Sequence, residues 1–175
     1  MKRKEVLQEP SLCRIYILAV FDDLQKFFDV RKEVEARFGP VDYASDSLTA
    51  EDLPSQYSGI PRRNARILSF QRPSGREELV DFRKRTLSIE DKLLSDGIPA
   101  VELIPGYVSE YNVIESAVED DFNRIYLYGG IFAGSLYYYE NHSFRTFSHS
   151  PQFYSRKEVV MIFNDLRLIL TGGKT

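Results

Sequence analysis

Tryptophan is absent from these 175 residues, cysteine occurs once and histidine twice. The lone Cys13 excludes an internal disulfide, and with no metal-ligand spacing around it a structural zinc site is excluded too. Beside an apolar run, it reads as a small core residue in a reducing compartment. His142 and His149, with Glu140 nearby, fall short of the three protein ligands a catalytic zinc wants. They read as a turn residue and a surface-loop residue, and no metal or cofactor is expected. No apolar run approaches 18 residues, so no membrane-spanning helix is expected. Lys2-Arg3-Lys4 imitates the start of a signal peptide, but the run Ile15 to Phe21 is short and closes on Asp22-Asp23 without a cleavage pattern. A net charge of −3 supplies no global field for nucleic acid or anionic lipid. These absences point to a cytoplasmic protein, with residues 1–11 as a flexible leader.

What is present is ordinary globular composition, 43% apolar and 28% charged. One domain over residues 12–173 is large enough to bury roughly 70% of its unfolded surface. The run Arg14 to Phe21 is nearly all apolar, the pattern of a central strand. Asp22 offers a cap to a helix carrying Phe27, Val30, Val34 and Phe38, which Gly39-Pro40 stops. Val41 to Ser45 reads as a short strand. Residues 46–64, with Pro54, Gly59 and Pro61, read as a long loop or the tip of an extended hairpin. Arg66 to Gln71 is the next strand. Ser74 and Glu77 form a capping box for a helix with Leu79, Phe82, Thr86, Ile89 and Leu93 inside. Val101 to Ile104 is a strand stopped by Pro105-Gly106. This βαββαβ order is that of a ferredoxin-like sandwich. Tyr111 to Val118 is a further strand of imperfect alternation, and an acidic turn follows it. Ser155 and Glu158 box the start of a closing helix that buries Val159, Ile162, Phe163, Leu166, Ile169 and Leu170. The fold class is α+β, a βαββαβ start followed by antiparallel hairpins and a C-terminal helix.

The densest signal is Asn123 to Phe147. Gly129-Gly130 suits a two-residue turn needing positive φ, and a second turn falls at Asn141-His142. Both faces of Ile131 to Tyr139 are apolar or aromatic, so each is covered or one is a recognition surface. A base-stacking platform wants interleaved basic residues, yet only Arg145 is basic between Tyr126 and Tyr154. Nucleic acid is therefore not an expected partner. Subunit association through Tyr126, Tyr128, Tyr137, Tyr138 and Tyr139 fits better, because tyrosine is favoured at interfaces. The hairpins are expected to form the structural centre of the sheet.

Arginine is the cation with chemistry to offer. Arg62, Arg63 and Arg66, with Arg83 on the second helix, have the planar forks that hold phosphate or carboxylate. Glu90, Glu102 and Tyr107 complete a candidate site for a small anion or nucleotide. The bland alternative is a solvated helix face paired with Glu77, Glu78, Asp81, Glu90 and Asp91. The tail Gly172-Gly173-Lys174-Thr175 imitates a P-loop, but Leu168 stands where its first glycine belongs and the stretch follows a helix. No GxGxxG or GxSxG pattern occurs, so catalytic residues and reaction type stay open.

Several fragments together resemble the domain of unknown function 4416 family. They are Phe38-Gly39-Pro40-Val41-Asp42, Leu68-Ser69-Phe70, Thr86 with Ile89-Glu90, Pro105-Gly106-Tyr107, Arg124-Ile125-Tyr126-Leu127 and Gly130-Ile131-Phe132-Ala133. They run in the family's order over nearly the whole chain after the leader. The resemblance implies an uncharacterised prokaryotic protein, and some members carry a GTP-binding label. Departures fall at polar positions: Ile104 replaces an acidic residue, Leu87 follows Thr86 where the family has asparagine, and Phe147 to Phe153 replaces an aromatic element. The surviving matches are structural or turn-forming. The expected function is a non-enzymatic protein that binds a partner or small anion, with a homo-oligomer built through the tyrosine hairpin. The alternative is a nucleotide- or phosphate-binding regulator or enzyme using the arginine cluster, with GTP as one ligand.

Overall fold

The structure, a computed structural model, describes residues 5–54 and 61–173. Along the chain run β1 (Arg14–Phe21), α1 (Leu24–Phe38), β2 (Val41–Ala44), β3 (Leu48–Thr49), β4 (Asn64–Phe70), α2 (Leu79–Lys92), β5 (Leu94–Ser95), β6 (Ile98–Pro99), β7 (Val101–Val108), β8 (Asn112–Ala117), β9 (Arg124–Tyr128), β10 (Ile131–Glu140), β11 (Ser143–Thr146) and α3 (Lys157–Thr171). Single 3₁₀ turns at Arg76–Glu78 and Gln152–Ser155 precede α2 and α3.

The main sheet has the order β11-β10-β8-β7-β1-β4-β2, with β3 beside β4 and β9 beside β10. All its pairings are antiparallel. Within it, β7-β1-β4-β2 with α1 and α2 is the ferredoxin-like βαββαβ unit read from the sequence, and β8 to β11 extend it past β7. β1 is buried along its whole length because both faces are covered. Ile15, Ile17, Ala19 and Phe21 meet Phe27, Val30 and Val34 of α1 and Phe82 and Ile89 of α2. Tyr16, Leu18 and Val20 face Ile162, Phe163 and Leu166 of α3. Cys13 is fully buried, its Sγ donating to the Ser74 carbonyl.

The two-residue turns form as expected. Gly129-Gly130 and Asn141-His142 all have positive φ, the geometry that matches strand twist in a tight hairpin. Gly39 (φ 92°) ends α1, and Gly172 (φ 63°) ends α3.

Other readings shift. The cap of α1 is Asp23, which accepts from the amides of Gln25 and Lys26, while Asp22 turns to Arg62 and Arg63. Ser74 pairs with Cys13, so the reciprocal contact before α2 falls one residue later, from the Gly75 amide to Glu78 Oε1. No Ser155 box forms, because Ser155 belongs to the 3₁₀ turn and Arg156 occupies the cap position. Ile169 is exposed.

Part of the 46–64 stretch is ordered pairing, Leu48–Thr49 against Ala65 and Asn64; residues 55–60, and Lys174-Thr175, lie outside the described residues. A small β5–β6 hairpin follows α2. β7 does not stop at Pro105-Gly106 but continues to Val108. Pro105 faces its backbone away from β1, on the same side as Leu103, where no ladder donor is required of it; its carbonyl accepts from Ser116 Oγ at 2.7 Å. The tyrosine hairpins are not the centre of the sheet either. They form its β8-side end; the middle of the strand order is β7, beside the fully buried β1.

Candidate functional site

β7 and β8 are paired only where Gly106–Val108 meet Val113–Glu115. Beyond that short ladder the two strands part, although β7 extends back to Val101 and β8 on to Ala117. Leu103 therefore has backbone groups inside an unzipped seam. Two side chains of α2 serve them: Arg83 Nη1 donates to the Leu103 carbonyl at 2.6 Å, and Glu90 Oε1 accepts from its amide. Both are buried, and their seven-residue spacing puts them on one helix face. Helix α2 plugs the seam from one side of the sheet.

On the other side the seam opens as a cleft of about 90 Å³, lined by Leu53, Ile104, Glu115, Arg124, Pro151 and Tyr154 among others. The strand registers explain its shape. Tyr16 opposes Gly106, Gly106 opposes Glu115, Glu115 opposes Gly134, and Gly134 opposes Arg124, so five strands contribute one row on the α3 face. The glycines leave room in that row for its three large neighbours. A Cβ on Gly106 would lie 2.5 Å from the Tyr16 hydroxyl, so the Tyr16 ring lies across Gly106 toward β8.

The row is polar at its inner end. Tyr154 donates its hydroxyl to Glu115 Oε2 at 3.1 Å, and Tyr137 donates to the Tyr154 carbonyl at 2.7 Å. Arg124 Nη1 donates to the Glu119 carbonyl at 2.7 Å. Burial pushes the Glu115 carboxyl above its usual range, against the opposing pull of the Tyr154 hydrogen bond and the charges of Arg124 and Arg83. Burial, and next the Glu115 charge, push the Tyr16 and Tyr154 phenols well above theirs. Among the described residues the Tyr16 hydroxyl, fully buried, has no hydrogen-bond partner.

The residues expected from the sequence are distributed over three places. Arg62 lies between Asp22 at 3.5 Å and the buried Glu102 at 3.7 Å, and Arg63 also meets Asp22. Arg66 lies over the Phe27 ring, 5.4 Å from its centroid. Arg83 and Glu90 are the seam plug. Tyr107 packs on the α1–α2 face, away from the cleft. Of this set only Arg83 reaches the cleft, through its charge on Glu115. His149 hydrogen-bonds the Ser135 carbonyl through Nε2, stacked on Phe147. Among the described residues no group of His, Cys, Asp and Glu is arranged to hold a metal.

Tyr16, Glu115, Arg124 and Tyr154 were not singled out from the sequence. One signal was available. Glu115 shares an inward face with Val113 and Ala117, and a carboxylate at that parity marks a strand whose core-facing side is not wholly dry.

A second surface is the β9 edge. β10 pairs with β8 along one side, and β9 and β11 share its other side, so among the described residues the far edge of β9 carries no strand. Ile125 is 71% exposed, Tyr126 58% and Tyr128 52%, and Phe122 just before them is 86% exposed. Tyr138 is exposed and Tyr139 half-buried under Arg167, whereas Tyr137 is wholly inside the core.

No helix among the described residues is long and apolar enough to cross a membrane. No curated protein and no solved structure matches the chain. A family model described as Domain of unknown function (DUF4416) matches residues 12–169. Its span takes in every strand of the sheet, the seam and the β9 edge, and the chain belongs to that family.

Proposed function

We propose that this is a cytoplasmic, non-enzymatic binding protein that works as a two-fold homodimer joined along β9. The observation that carries this reading is the open β9 edge, where Ile125, Tyr126, Leu127 and Tyr128 are all exposed in succession. An exposed hydrophobic edge strand is a template for strand pairing and is normally blunted or covered. A second copy fits it by charge. In an antiparallel pairing centred on Tyr126, the acidic turn Glu119-Asp120-Asp121 of one protomer approaches the far end of its partner's β9. There Lys84 lies over the Tyr128 ring, 5.7 Å from its centroid. Ile125 of each protomer then opposes Leu127 of the other, as a two-fold contact requires.

Sedimentation equilibrium at micromolar concentrations tests the proposal. The wild-type chain is expected as a dimer and Ile125→Asp as a folded monomer; a monomeric wild type overturns it. Small-anion binding is the rival reading, favoured by the exposed Arg63 side chain beside Arg62. It extends to nucleotides, GTP included. A rise in Tm with millimolar GTP, ATP or sugar phosphates would support that reading, and no rise would remove it.

A further inference from the structure

We propose that the seam cleft binds a small organic ammonium ion, its N–H groups against Glu115 and its short aliphatic part against Leu53, Ile104 and Pro151. The cleft has about 90 Å³ for it, the scale of a few heavy atoms. Its polar end is the half-buried Glu115 carboxylate, which among the described residues accepts one side-chain hydrogen bond, from the neutral Tyr154 hydroxyl. A charged N–H donor is the group such a carboxylate gains most from. Arg124 lines the cleft, yet its Nη1 donates to the Glu119 carbonyl, and its charge does not bring the Glu115 carboxyl back to its usual range. An anionic ligand would face Glu115 and Glu119 together. Behind Glu115 the row ends on the Tyr16 hydroxyl, buried and without a partner among the described residues. That hydroxyl is separated from Glu115 by Gly106 alone, so the row behind the cleft has hydrogen-bonding capacity left over.

This inference is independent of dimerisation, since Glu115 lies inside the sheet. Calorimetry on the full chain with propylammonium, propan-1-ol and propionate, three probes of one shape and different charge, tests it. Propylammonium is expected to bind about tenfold or more tighter than either of the others, the margin of a charged hydrogen bond. Glu115→Gln is expected to lose that margin while staying folded, with a Tm no lower than that of the wild type. Equal binding of the three probes, no binding of propylammonium, or an unchanged margin in the variant overturns the proposal.

Should the variant fail to fold, the pH dependence of the wild type decides. Glu115 is faced by Tyr154 from the turn before α3, Tyr16 from β1, Arg124 from β9 and Arg83 from α2, with Glu119 at the rim. The two phenols are held above their ordinary range and stay neutral in mild acid, so affinity is expected to fall as Glu115 takes up a proton. Affinity that stays flat down to about pH 4, near the ordinary carboxylate range, overturns the proposal.

Discussion

Gly106 is glycine because two neighbours already hold the place of its Cβ. That atom would lie 2.3 Å from the Ile114 carbonyl oxygen and 2.5 Å from the Tyr16 ring. The carbonyl belongs to the strand paired with β7, and moving it opens the only three rungs that hold β7 to β8. Gly106→Ala is therefore expected to cost about 3 kcal/mol, the upper range for overpacking, read as a lower urea midpoint. The sequence marked Pro105-Gly106 as punctuation. It could not show that this glycine serves close approach inside a strand, because Tyr16 and Ile114 are brought beside it only by register. Glu115 gives a second test at this scale. Its folded-state pKa is raised above the unfolded value, so the native chain holds that proton more tightly. Its penalty is absent in acid, below the ordinary carboxylate range, and grows as pH rises toward the folded pKa. Glu115→Gln should be more stable than wild type near neutral pH, with the gap in Tm closing toward about pH 4.

Helix α2 was half legible. Its apolar period gave Leu79, Phe82, Thr86 and Ile89, all buried. Arg83 and Glu90 stand on that same stripe, four residues after Leu79 and Thr86, but charged residues among many other charges read as a solvated face. What buries them is the gap in the sheet, a tertiary fact. A ladder left open at Leu103 needs one donor and one acceptor, and α2 delivers both from two turns. Arg83→Leu removes the donor and leaves the buried Leu103 carbonyl without it. A loss of about 2 kcal/mol is expected, the cost of a buried acceptor left unmet. Equilibrium urea unfolding measures it, and a loss under about 0.5 kcal/mol, typical of surface substitutions, would mean that the plug is not needed. By contrast β1 and α1 were legible almost to the residue, because a continuous apolar run marks a strand covered on both faces and a 3.6 period marks a helix laid on the sheet with its other face in solvent.

At the scale of the whole molecule, the aromatic density of residues 123–147 misled on position. Composition says which residues avoid water but not the order in which strands line up, and here a ten-residue β10 gives its outer side to both β9 and β11. The outcome is an apolar strand at the rim, which makes pairing of copies the question of most consequence. Under the proposed two-fold register, Asp121 of one protomer approaches the partner's Lys84. Lys84→Glu should set like charges against each other and weaken association by about 1 kcal/mol, roughly fivefold in Kd. Asp121→Lys should do the same alone. Combined, the two changes restore opposite charges and should return Kd to near the wild-type value, while added salt weakens the wild-type dimer and the double variant alike. Sedimentation equilibrium across the four proteins reads the cycle. Additive losses in the double variant would exclude this register even if the chain is a dimer, because only a contact between those two residues couples them across the axis.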